Sequence, residues 1–142
     1  MTLNDLLPLI GGLGIGGILG IVVKHFLDKK SELKIKLKAI NEEKYRTVLI
    51  YMSIILNPRN KDHFVLNDNI LYSLTTENDI REYSTSKLNE YYFQSLLYAS
   101  DDVMRAFKSF LNDPSRENYI ISAQKMRIDL WNSKTQLKIS EI

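Results

Sequence analysis

The side chains most able to do chemistry near neutral pH are His25 and His63. They lie far apart in the chain. Neither has companions at the spacing of a zinc site, which needs three or four ligands. The 142 residues include no cysteine, which removes disulfides, thiolate metal sites and a cysteine nucleophile. Two pairs of adjacent carboxylates occur, Glu42 with Glu43 and Asp101 with Asp102. Paired acids in hydrolysis must face one another across a substrate. Neighbours on a helix point about 100° apart, so these four are read as capping and solvated residues. Arg127 and Asp129 flank Ile128 and are placed to pair with other helices. The eight tyrosines fall mostly at core-like spacing rather than as a platform for stacking bases. No catalytic residue, metal ligand set or cofactor site is expected, and nucleic acid is not an expected partner.

A phosphate-cradling loop would need glycines beside a helix start. All six glycines instead lie between Gly11 and Gly20, inside the one long apolar run. Residues 6–23 carry no charge. Eighteen helical residues reach about 27 Å, close to the ~30 Å hydrocarbon core of a bilayer. The run lacks the basic n-region and small-residue cleavage site of a signal peptide. It is therefore read as a transmembrane helix over 1–27, with Thr2 and Asp5 at its start and Pro8 in the first turns. No Lys or Arg precedes it, and eight follow between Lys24 and Arg46. The positive-inside rule puts the N-terminus outside and residues 28–142 in the cytoplasm, at the inner membrane of a cell.

Gly12, Gly16 and Gly20 recur every four residues and would share one thin face of that helix. In lipid, small residues let helix backbones approach closely. The pattern resembles the glycine zipper of membrane oligomers, so these three glycines are the expected interface of a homo-oligomer, a ring being one form. Lys24, Lys29, Lys30 and Lys34 are expected to meet lipid headgroups or form a basic collar around a pore mouth.

No glycine follows position 20, and prolines occur only at 8, 58 and 114. Hairpin-rich β folds use glycine at their turns. The expected fold is therefore all-α: the membrane helix continues without a break to about Leu56, then feeds a small cytoplasmic helical bundle. Residues 48–56 are apolar on all sides and too short to span, so they form the expected bundle centre. Residues 59–78 mix turn-forming and apolar residues and suggest a loop with a short helix. A helix over 79–99 would turn Leu88, Tyr91, Tyr92, Leu96 and Ala99 inward. The next, over 101–111 behind Ser100, would bury Val103, Ala106, Phe107 and Phe110. A last helix would start with Asp113 as N-cap and Pro114 in its first turn, burying Tyr119, Ala123, Met126 and Leu130. Arg59 and His63 stand four apart, short of the Arg…His interval of HEPN ribonucleases.

The stretches LLYASDDVMRAFKSFLND and AQKMRIDLWNSKTQL resemble a pattern in small uncharacterised bacterial proteins. Those proteins have an N-terminal membrane helix, a basic juxtamembrane helix and a cytoplasmic helical domain. Trp131 stands where that pattern has glycine, so the helix is expected to run through this point. The layout also resembles membrane accessory and effector proteins of bacterial antiviral systems, including those beside type VI CRISPR nucleases, whose helices assemble into a ring. The likeness implies an oligomeric single-pass protein that forms or gates a pore in antiviral defence or growth arrest. The alternative is a membrane anchor or scaffold whose helical domain recruits a protein partner.

Overall fold

The computed structural model describes residues 15–132, with side chains from 23 onward. Every described element is helical. The chain divides after Ala39 into two units.

The first helix, α1, spans Ile15–Leu56. No glycine after Gly20 and no proline interrupts it. It stops where the residue before a proline must leave the helical region. Asn57 is extended at φ −142° and ψ 105°, and its side chain accepts from the Arg59 N–H. The Asn57 N–H closes the last turn on the Ser53 carbonyl at 2.9 Å. A 3-10 turn, Pro58–His63, follows, then the short α2, Asn69–Ser73. This matches the loop with a short helix expected over 59–78.

Helix α3 spans Glu77–Ser95, capped by Thr76, with Glu77 and Asp79 at the positive end of its dipole. It ends four residues earlier than the expected 79–99. Leu96 and Leu97 enter a turn, and Leu96 is exposed rather than buried. Helix α4 spans Asp101–Asn112 and buries Val103, Ala106, Phe107 and Phe110, the four expected residues. Ser100 holds the N-cap position, although its side chain makes no cap hydrogen bond.

Helix α5 spans Arg116–Trp131, and its start corrects the expected one. Asp113 closes α4, its N–H bonded to the Ser109 carbonyl at 3.0 Å. Ser115 is the N-cap of α5 and accepts from the Asn118 N–H at 3.2 Å. Of the four residues expected inward, Met126 is buried, while Tyr119, Ala123 and Leu130 are half-buried; Ile120 and Ser122 are buried as well. The helix stops at Trp131 instead of running on. Asn132 takes the left-handed conformation at φ 47°, the role the resemblance gave to a glycine one residue earlier.

The core of the 40–142 unit gathers Val48, Met52 and Ile54 of α1 with Leu71, Leu88, Phe107, Phe110 and Met126. Each such side chain contributes about 1.5–3 kcal/mol when fully removed from water. Residues 48–56 thus supply the bundle centre, as their composition requires. Tyr92 meets Phe107 edge-on at 5.4 Å and joins α3 to α4. Helix α4 packs mainly on α5.

The expected membrane span lies half outside the described residues. Among the described residues, no helix is long and apolar enough to cross a membrane.

Candidate functional site

A cleft of about 490 Å³ is lined by α1, α3 and the segment 65–70. Asp68 lines it. This residue caps α2, accepting the Leu71 N–H at 3.1 Å. The Tyr83 hydroxyl, from α3, is shared between both carboxylate oxygens at 2.9 and 3.0 Å. The Tyr51 hydroxyl, from the buried face of α1, donates to Oδ2. One carboxylate thus ties three helices together.

Burial alone would raise the Asp68 pKa. The hydrogen bonds from Tyr51, Leu71 and Tyr83, with the positive charge of Lys87, outweigh it and hold the group below its ordinary value. Burial, then the bond to Asp68 and its negative charge, push the Tyr51 phenol upward. Tyr83 moves the same way for the same reasons. The carboxylate therefore stays ionised and the phenols stay protonated at neutral pH. General acid–base work needs a group poised near the operating pH, and these three are moved away from it. What the arrangement does is clamp the 58–76 segment onto α1 and α3. Arg46, Lys87 and Glu43 stand around the cleft, with exposed Val65 and Ile70 at its edge.

The same segment is held at other points. Lys61 donates to the Leu74 carbonyl at 2.5 Å, and Asn60 to the Ser53 carbonyl at 3.1 Å. The Tyr72 hydroxyl donates to the Phe64 carbonyl at 2.6 Å and accepts the Leu66 N–H at 2.9 Å.

A second carboxylate–phenol tie lies apart from the cleft. Tyr45 of α1 donates to Asp129 of α5 at 2.5 Å. Burial, then this bond, raise the Tyr45 pKa. Tyr98 lies 5.8 Å from Tyr45, with the Lys44 ammonium 4.4 Å over its ring. Asp129 thus meets a phenol on another helix, whereas the sequence pointed to an ion pair. Asp102 pairs with Lys125 of α5 at 3.1 Å and with Arg105 at 3.3 Å. Those bonds, that to Lys125 first, lower its pKa.

The residues lining the cleft include none of the described site residues expected from sequence. Gly12 lies outside the described residues, and Gly16 and Gly20 fall within α1. Lys24, Lys29, Lys30 and Lys34 are exposed along α1. Arg59 and His63 are exposed in the 3-10 turn. Among the described residues, no three His, Asp or Glu side chains gather to hold a metal ion.

Sequence reasoning missed Asp68. Its one local signal is an aspartate two residues before the apolar Ile70-Leu71, the mark of a helix N-cap. Its phenolic partners are 17 and 15 residues away, on helices whose packing no local pattern reports.

Fold and cleft define an all-α protein in which half-buried carboxylate–tyrosine ties lock the helices. Compared with models of protein families, with curated proteins and with solved structures, the chain matches none.

Proposed function

We propose that the chain is a single-pass protein of a bacterial inner membrane whose cytoplasmic helical domain recruits a protein partner. The observation that carries this reading is the junction at Val23. An apolar, glycine-rich run leads into a helix rich in lysine, on which Leu33, Ile35 and Leu37, beyond the 1–27 span, are exposed. Large apolar side chains in that number on one helical segment mark a surface made for contact. The lysines fit the orientation rule for a cytoplasmic flank. The cleft adds support by a different route, since Asp68, Tyr51 and Tyr83 within it are moved away from neutral titration and hold the fold.

A second reading is favoured by the spacing of Gly12, Gly16 and Gly20. In it the copies close into a ring through those glycines and form or gate a pore, in antiviral defence or growth arrest. The resemblance to small bacterial membrane proteins suits both.

Membranes from cells expressing the full chain test the common part. The protein is expected to stay in the membrane pellet through an alkaline wash. Trypsin is expected to reach the lysines after Val23 only in inverted vesicles. Recovery in the aqueous fraction overturns the tether. Light scattering in detergent, beside Gly16→Leu, then separates the two readings. A monomer or dimer indifferent to the substitution supports recruitment. A particle of about six or more copies that Gly16→Leu breaks apart supports the ring.

A further inference from the structure

Four of the uncovered apolar residues of α1 share one stripe, while Leu27 lies at its edge and Ile35 on the back of the helix. Val23, Phe26, Leu33 and Leu37 are 54%, 70%, 57% and 59% exposed. Their positions follow the three-and-four spacing of a coiled-coil seam, with Lys30 at the remaining place. At about 100° per residue, all four lie within about 50° of a common direction. Lys29 and Lys36 border the stripe on one side and Lys34 on the other, about 70–90° from its centre. Asp28 and Glu32 fall on the back of the helix, beyond about 130°. Lysine thus borders both edges of the apolar seam, and the acids turn away from it.

We propose that this stripe docks an acidic amphipathic helix of a different protein, a step that rests on the recruiting reading above. The partner lays apolar side chains along Leu33 and Leu37, the part of the stripe beyond the 1–27 span, and sets carboxylates beside Lys29, Lys34 and Lys36. Lys30 within the seam takes a further carboxylate and fixes the register.

Charge separates this occupant from the other two. A parallel pair of copies puts Lys29 of one chain opposite Lys34 of the other and brings two Lys30 side chains together in the seam. An antiparallel pair again sets lysine edges against lysine edges. A membrane surface is out of range for a helix continuing from a span. At about 1.5 Å per residue, Leu33 and Leu37 stand about 14 and 20 Å beyond Lys24. Surface charge is screened within about 8 Å at physiological salt.

The test uses the full chain in detergent and two labelled four-heptad peptides with leucine seams. One peptide is bordered by glutamate and the other by lysine, and binding is read by fluorescence anisotropy. The wild-type chain is expected to bind the glutamate peptide at least about tenfold more tightly. The triple variant Lys29→Glu, Lys34→Glu, Lys36→Glu is expected to reverse that preference. Leu33→Ser with Leu37→Ser is expected to abolish binding of both. All five positions are exposed, so the thermal midpoint of each variant should match wild type and exclude misfolding as the cause.

Equal binding of the two peptides, or none of the glutamate one, overturns the proposal. So does a doubling of particle mass that requires Leu33 and Leu37, which identifies a second copy as the occupant. In phosphatidylcholine vesicles, trypsin protection of Lys29 and Lys36 that appears only on adding phosphatidylglycerol also overturns it, in favour of lipid. A chain that washes off membranes yet discriminates the peptides supports the docking and overturns the tether. A chain that stays in the membrane yet ignores both peptides overturns the docking alone.

Discussion

Asp68 concentrates much of the polar specificity around the cleft, because its two oxygens collect Tyr51, Tyr83 and the Leu71 N–H. Replacing it by asparagine keeps the shape but removes the charge that strengthens each bond. Asp68→Asn is expected to cost about 1–3 kcal/mol in urea denaturation at neutral pH. The acid dependence follows from the lowered folded pKa. As pH falls, the unfolded chain takes up the proton first. The contribution of Asp68 is therefore present above about pH 4 and lost as pH falls through the folded value. In the asparagine variant that part of the pH–stability curve should flatten. Tyr45 and Tyr51 act in the opposite direction, since their folded pKa values are raised. Their contribution is complete below about pH 10 and disappears as pH rises through the folded values.

At the scale of the element, the junction of α4 and α5 offers a direct comparison. Both Asp113 and Ser115 are residue types that cap helices, and the sequence favoured the aspartate because a proline follows it. The backbone assigns Asp113 to the end of α4, where its N–H serves the Ser109 carbonyl. Ser115→Ala is expected to lower stability by about 1 kcal/mol, and Asp113→Ala by less than about half of that, in paired denaturation curves. The helices themselves were legible because period and breakers agree. The apolar run at 48–56, the seam of α4 and the stop at Pro58 are each set by one stretch of chain. Beyond a loop with a short helix, the contacts of residues 59–78 were not legible, for the complementary reason. Single side chains hold that segment to distant backbone, as Lys61 does to Leu74 and Asn60 to Ser53, and such bonds leave no period in the sequence. The cleft, which depends on that segment, was hidden with it.

For the whole molecule, the division after Ala39 carries a prediction of its own. Among the described residues, the buried ones begin at Tyr45, and Val23, Phe26, Leu33 and Leu37 are exposed. A chain starting at Ile40 is therefore expected to keep a cooperative melt, with stability changed by less than about 1 kcal/mol and the midpoint moved by no more than about 4–8 °C. Loss of the cooperative transition would show that the bundle needs the preceding residues to fold. Total charge named no partner for this chain, because +2 is close to neutral. The informative quantity is where the charges fall, and residues 24–36 hold lysine in excess over acid.

The glycines end at Gly20, and the folded domain reverses direction several times without one. Asn57, Asp68, Thr76 and Ser115 bend the chain with their side chains, and Asn132 adopts a backbone conformation most residues avoid. Evolutionary constraint should be distributed accordingly. In a saturation scan of single variants, the core would accept apolar exchanges of similar volume. These solvent-facing or half-buried polar positions would tolerate only a narrow set of replacements. The tolerance map of the domain would then trace its corners as clearly as its interior.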